Sequence, residues 1–230
     1  MSGRGVGAGA GVGAAGAAGA GAGAAVAGSR QKPAVRRALI VEAAREVIVR
    51  EGFGATGLRD IAAAAGVSAG TVTYHFGSVA EILNEVVVLE TARFYASIIE
   101  AVDAEPDAVA AVRLLVEPLF AGTDATAEHW RLWSDYWTVV ARGPDVAAEY
   151  VERIRVWEAC LTRTLRRGSV SGAFVVADPA ALALKLAAYS DGIATQLAQK
   201  APGLTPATAL AWMWTFLEHE TGASFAPAAL

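Results

Sequence analysis

Between Leu58 and Phe76 the chain reads Leu-Arg-Asp-Ile-Ala-Ala-Ala-Ala-Gly-Val-Ser-Ala-Gly-Thr-Val-Thr-Tyr-His-Phe, an order that few folds accommodate. Ile61, Ala62 and Ala65 recur at helical spacing, Gly66 interrupts them, and Ser68 opens a second short helix that turns Val72 and Phe76 inward. The pattern predicts a helix-turn-helix. Gly66 is free to take positive φ in the tight turn, and the Ser68 hydroxyl is placed to accept an orphan N–H of the following helix. Docked as such motifs dock, that helix offers Ala69, Gly70, Thr71, Thr73, Tyr74 and His75 to a major groove.

A net charge of −4 over 230 residues argues against a nucleic-acid partner until it is divided. Residues 1 to 77 hold 8 Lys+Arg against 4 Asp+Glu, a balance of +4, and residues 78 to 230 hold 11 against 19, a balance of −8. The basic end is the end with the motif, so it faces phosphate while the acidic remainder is held away from it. A single cysteine, Cys160, excludes an intramolecular disulfide and a cysteine-rich zinc site, and its place beside Trp157 and Leu161 reads as small core packing. The 54% apolar content comes largely from alanine, and the most apolar late stretch, Pro179 to Ala198, carries Lys185 and Asp191, so no membrane span is expected. Without an export signal the expected location is cytoplasmic.

Taken in order, residues 1–28 are almost wholly Gly, Ala and Val and read as a disordered tail. Gly11-Val-Gly-Ala-Ala-Gly16 matches a dinucleotide fingerprint only formally, because no strand precedes it. A basic run, Arg30, Lys32, Arg36 and Arg37, leads into a helix over 33–51 with Leu39, Ile40, Ala43, Val47 and Ile48 inward and Gly52 as its stop. Phe53 is expected under the helix-turn-helix, with Thr56 or Gly57 capping the next helix and Asp60 in its first turn. Ser78 and Glu81 form a capping box for a helix over 79–102, buried through Ile82, Val86, Leu89, Phe94 and Ile98. Further helices are expected over 107–120, 125–141, 144–167, 179–200 and 206–220, bordered by prolines and glycines.

The stretch Gly52 to Phe76, laid out as Gly-x-x-x-Thr-Gly-Leu-Arg-Asp-Ile-Ala-x-x-Ala-Gly-Val-Ser-x-Gly-Thr-Val-x-Tyr-His-Phe, resembles the TetR family of transcriptional regulators. The resemblance covers roughly residues 35–90, and Leu132-Trp-Ser-Asp-Tyr-Trp137 with Asp191-Gly192 is similar to the choline-responsive, BetI-like branch. It implies an all-α fold, a three-helix DNA-binding domain followed by a six-helix ligand-binding and dimerisation domain. It also implies a two-fold homodimer whose third helices enter successive major grooves, with a ligand changing their separation. The domain bounds expected are 29–77 for DNA binding and 78–222 for ligand and dimer, with a tail at 223–230. The chain departs from the family where Val79 replaces a frequent phosphate-binding lysine and where Ala69 is not basic. Phosphate anchoring is therefore expected from Tyr74, His75, Thr56, helix N-termini and the arm Arg30 to Arg37.

The DNA-contact set expected is Thr56, Arg59, Ser68, Ala69, Gly70, Thr71, Thr73, Tyr74 and His75. Thr71 has the alternative of capping its own helix, and Arg59 of standing solvated. Trp130, Trp133 and Trp137, spaced i, i+3 and i+7, put three indoles on one helix face. Together with Tyr136, Tyr150, Trp157 and Tyr189 they build either a plain aromatic core or a large-walled cavity, in which Asp135 or Asp191 would suit a cationic amine through cation–π attraction. Leu182, Leu186, Tyr189, Ile193, Leu210, Met213, Trp214 and Leu217 form the stripe expected at a four-helix dimer interface, with burial in the protomer's own core as the other outcome.

The expected function is a ligand-responsive regulator, a repressor of a palindromic operator, with double-stranded DNA, a small effector and a second copy as partners. The other function kept open is an architectural DNA-binding protein without an effector. His75, His129 and His219 lie scattered, without metal spacing or a partnered nucleophile, so neither an enzyme nor a metal or cofactor is expected.

Overall fold

The computed structural model describes residues 32–142 and 148–225; expectations placed on residues 1–31, 143–147 and 226–230 lie outside them. Among the described residues ten α-helices follow one another: α1 (Pro33–Glu51), α2 (Leu58–Ala64), α3 (Ala69–His75), α4 (Val79–Ala104), α5 (Ala108–Val116), α6 (Asp124–Arg142), α7 (Ala148–Ile154), α8 (Val156–Ser171), α9 (Pro179–Ala198) and α10 (Pro206–Thr221). Among the described residues there is no strand, and no helix is long and apolar enough to cross a membrane.

Local chemistry accounts for the borders. Pro33, Pro179 and Pro206 stand in first turns, where the missing N–H costs nothing. Asp178 accepts from the N–H groups of Ala180 and Ala181, Asp107 from Ala110, and Thr205 from Thr208. Gly52, at φ 82°, stops α1 as expected. Gly57 precedes α2, and since it has no side chain the cap is supplied by Asp60, whose Oδ2 accepts from Gly57 N at 2.8 Å.

Two helix assignments need correction. Residues 144–167 were expected as one helix, but α7 and α8 are separate, broken at Arg155 (φ −93°, ψ 24°), so seven helices rather than six follow the helix-turn-helix. The helix expected over 107–120 is α-helical only to Val116 and tightens into a 3-10 turn, Glu117–Phe120, around Pro118, which cannot supply the next ladder N–H.

Burial follows two apolar clusters. The first joins Ile40, Val41, Ala44 and Ile48 of α1 to Ile61, Val72 and Phe76, and is closed by Ile82, Leu83, Val86 and Val87 of α4 and by Leu132 and Tyr136 of α6. A three-helix module this small buries little surface by itself, which is why α4 and α6 complete it. Leu39, expected inward, is 44% exposed; Val41 is buried in its place, because the α1 face is rotated toward α4. The stripe of α4 is rotated likewise: Leu89, Phe94 and Ile98 are half-buried, while Glu90, Thr91 and Tyr95 are buried.

The second cluster packs α5, α8, α9 and α10 around Leu115, Leu161, Leu165, Leu186, Met213 and Leu217, with Cys160 fully buried in it. It takes in most of the residues expected in the dimer stripe. Leu182, Leu186, Ile193, Met213 and Leu217 are buried within the protomer, and Leu210 and Trp214 lean on the same core. α9 and α10 carry apolar residues on two sides, and the side with the larger aliphatic residues faces inward. The outward side presents Trp212, 46% exposed, beside Tyr189 and Phe216, whose rings lie 5.2 Å apart, while Leu184 lies with Asp191 on another side of α9.

Candidate functional site

The helix-turn-helix is held by its own polar groups. Gly66 takes φ 63° in the turn between α2 and α3. Ser68 Oγ accepts from Thr71 N at 3.1 Å and lies 2.9 Å from Thr71 Oγ1, while Thr73 Oγ1 donates to the Gly70 carbonyl. Val72 and Phe76 are buried, which leaves Gly70, Thr73 and Tyr74 on the outer face, Tyr74 at 80% exposure with its ring edge-to-face on His75. Arg59 and Ser68 are exposed too, and Ala69, Thr71 and His75 are half-buried.

Two expected phosphate anchors face elsewhere. Thr56 is buried and its hydroxyl donates to the Gly52 carbonyl at 2.8 Å, satisfying an orphan acceptor at the end of α1. Arg37 is drawn onto α4, bonding Glu81 and Glu85 at 3.0 Å each and the His75 carbonyl, with its guanidinium 4.0 Å from the Phe76 ring centre. The two carboxylates hold Arg37 charged against the opposing effect of burial.

α6 presents two working faces. On one, Glu128, Arg131 and Asp135 reach α1 and Phe53 just beyond it. Glu128 Oε2 accepts from Arg45 Nη2 at 3.0 Å, Arg131 Nη1 donates to the Val49 carbonyl at 3.2 Å, and Asp135 Oδ2 accepts from Phe53 N at 2.8 Å. Asp135, expected in a ligand site, is thus a joint residue. On the other face, Trp130, Trp133, Tyr136 and Trp137 wall a cavity of about 460 Å³ together with Tyr95, His129, Trp157, Glu158 and Asp191. The indoles stand close, Trp137 lying 6.3 Å from both Trp130 and Trp133 between ring centres. Trp157 is fixed by donation from Nε1 to the Leu115 carbonyl at 3.0 Å.

Electrostatics single out Asp191. Arg155, placed on the wall by the break between α7 and α8, donates to both carboxylate oxygens of Glu158 at 2.6 and 3.1 Å. Among the described residues no side chain or N–H reaches the Asp191 carboxylate. Burial, with Glu158 nearby, pushes its pKa up to about 7. Behind the indoles, His129 is fully buried, stacked 3.9 Å from the Phe94 ring, with Nε2 3.0 Å from Tyr95 Oη and Nδ1 3.7 Å from Glu90 Oε1. Burial lowers the His129 pKa against the pull of Glu90, which makes the neutral ring its resting form.

Tyr150 and Tyr189 do not line the cavity. The Tyr150 hydroxyl donates to Glu85 at 3.3 Å, and Tyr189 packs on Phe216 at the outer face. Tyr95, His129 and Glu158 were not foreseen as lining. His129 falls four residues before Trp133, so extending the tryptophan stripe by one turn would have found it. Among the described residues no cluster of three His, Cys, Asp or Glu side chains could hold a metal ion.

Comparison with known proteins agrees with this arrangement. Residues 40–86 match the family model of bacterial regulatory proteins of the tetR family, and residues 108–222 match that of the BetI-type transcriptional repressor C-terminal domain. Among solved structures, a protein described as a transcriptional regulator from Saccharomonospora viridis, in complex with choline, superposes with a TM-score of 0.69 at 26% identity, over 82% of this chain and 98% of that one. A regulator from Pseudomonas aeruginosa PAO1 superposes with a TM-score of 0.63 at 24% identity, over 84% and 94% of the two chains, and shares the fold. No curated protein matches by sequence.

Proposed function

The chain belongs to the TetR family of bacterial transcriptional regulators, and from that membership we propose that it is a repressor, a homodimer that holds a palindromic operator and releases it when a small cationic amine enters the tryptophan cavity. The observation that carries the effector class is the Asp191 carboxylate, without a partner among the described residues and faced by indole rings. Aromatic faces attract a cation through their quadrupoles, and a desolvated carboxylate supplies the counter-charge. The choline bound in the Saccharomonospora viridis protein favours a quaternary or small tertiary ammonium group.

Residues 29–77 supply the DNA-binding part in this reading and 78–222 the sensing and pairing part. Gly70, Thr71, Thr73 and Tyr74 meet the major groove and its phosphates, with Arg59, Ser68, Ala69 and His75 beside them. The outward stripe of α9 and α10, through Tyr189, Trp212 and Phe216, joins the two protomers. A regulator of this kind works in the cytoplasm.

Release follows from the two faces of α6. A cation drawn against Trp133 and Trp137 shifts α6, and Glu128, Arg131 and Asp135 carry that shift to α1 and the helix-turn-helix. The effector acts only if it binds the DNA-incompetent arrangement more tightly than the competent one.

Titration of intrinsic tryptophan fluorescence tests the effector class. Choline is expected to quench saturably in the wild type and not in Asp191→Asn. A flat response to choline and polyamines alike would contradict the reading.

A further inference from the structure

Trp130 and Trp137 are a partition with a chamber on each side. Beyond them, between the first half of α6, the end of α9 and the segment leading to Pro206, lies a second cavity of about 760 Å³ that shares Leu119 and both indoles with the first. Its size falls among ligand-binding pockets, roughly 300–1,000 Å³.

Its chemistry is the reverse of its neighbour's. Asp191 and Glu158 line the first cavity, whereas no carboxylate lines the second, whose charged residues are Arg131 and Lys200. Neither cation is in an ion pair among the described residues, and Arg131 reaches only the Val49 carbonyl. Several polar groups of the wall are engaged with backbone carbonyls. Trp130 Nε1 donates to the Leu119 carbonyl at 2.7 Å, Thr126 Oγ1 to the Pro118 carbonyl and Thr195 Oγ1 to the Asp191 carbonyl. The rest of the lining is mostly methyl and indole surface, with Ser134, Gln199 and two positive side chains among it.

We propose that this chamber is a separate site for an anionic amphiphile, a medium-chain carboxylate whose tail lies against Trp130 and Trp137 and whose head meets Arg131 and Lys200. The tail gains from leaving water and the head from charge-assisted hydrogen bonds. Because the head competes for Arg131, which also holds the carbonyl of Val49 on α1, occupancy is felt at the same joint as the first cavity.

The test is isothermal titration of the full-length protein with dodecanoate below its micellar concentration. One equivalent per chain is expected, weakened roughly tenfold in Arg131→Gln/Lys200→Gln, the scale of one lost charge-assisted contact. Ala127→Trp, a substitution at an exposed wall position that fills the space, is expected to abolish it. Lys200→Gln alone, outside the α6–α1 joint, is expected to leave choline affinity unchanged, and a failure of the amine reading shows separately in the wild-type choline titration. Absence of saturable dodecanoate binding, binding indifferent to both variants, or displacement by dodecyltrimethylammonium would overturn the proposal.

Discussion

Arg45 Nε donates to Glu90 Oε2 at 2.9 Å, and this half-buried bond ties α1 to α4 at the point where α4 also meets His129. Glu90 is only 4% exposed, and although burial opposes its charge, His129 and Arg45 hold its pKa below the usual carboxylate range. Arg45 bonds Glu128 of α6 as well, so one guanidinium gathers three helices.

Glu90→Ala is expected to cost about 1–3 kcal/mol in urea denaturation, because it removes a charge-assisted bond from a half-buried guanidinium. Glu128 remains as its partner, which limits the loss. In the fraction that folds, operator affinity is expected to lose its response to choline. An unchanged urea midpoint would show that the bond contributes nothing to the joint.

The raised pKa of Asp191 has two consequences of opposite sign. A cation needs the ionised carboxylate, so choline affinity is expected to fall as pH drops below about 7, approaching tenfold per unit. The groups sharing the cavity are Arg155 at the break before α8, Glu158 of α8, His129 and Tyr136 of α6 and Tyr95 of α4. For stability, a carboxyl whose folded pKa exceeds its unfolded value holds its proton more tightly when folded, and that contribution is lost as pH rises from about 4 to about 7. Asp191→Asn is therefore expected to raise Tm at pH 8 while removing choline binding. Thermal melts at pH 5 and pH 8 check the first part, and pH-dependent fluorescence titration the second.

Leu186 and Trp212 stand on opposite sides of the α9–α10 layer and separate folding from pairing. Leu186→Ala, in the protomer core, is expected to destabilise by about 2–5 kcal/mol. Trp212→Glu, on the outer face, is expected to leave helicity unchanged and give monomers at micromolar concentration in equilibrium sedimentation. A dimer that survives Trp212→Glu/Thr215→Glu would place the interface elsewhere.

Gly168, inside α8, packs directly against the Phe174 ring, so that an added Cβ would overlap Cδ2 and Cε2 of that ring. Phe174 is buried and stacked on Phe225 with ring centres 5.9 Å apart, which leaves it little room to retreat. Gly168→Ala, a favourable change in an open helix, is instead expected to lower stability by about 1–3 kcal/mol, measured by thermal or urea melting.

The helix-turn-helix was legible to the residue because its signals are local: Gly66 for the turn, Ser68 for the cap, Val72 and Phe76 for the inward face. The limits of α1 followed in the same way from Pro33 and Gly52. What sequence left open were choices between two apolar sides of one helix. Nothing in the spacing of Leu182, Leu186 and Ile193 tells whether they meet α8 of the same chain or α9 of another, and the packed core decided it. The tryptophan face was found because large aromatics at i, i+3 and i+7 have few other uses, but Asp135 and Asp191 were indistinguishable until α1 was seen to end against Asp135. Glu158 was hidden because the break at Arg155 carries no proline or glycine signal.

The most direct measurement is fluorescence anisotropy of a labelled duplex, selected from a random pool by the full-length protein, titrated with choline. The account predicts a palindromic duplex whose anisotropy falls to the free value as choline saturates the wild type, with no fall for Asp191→Asn. A wild-type complex that keeps its anisotropy at saturating choline would contradict it.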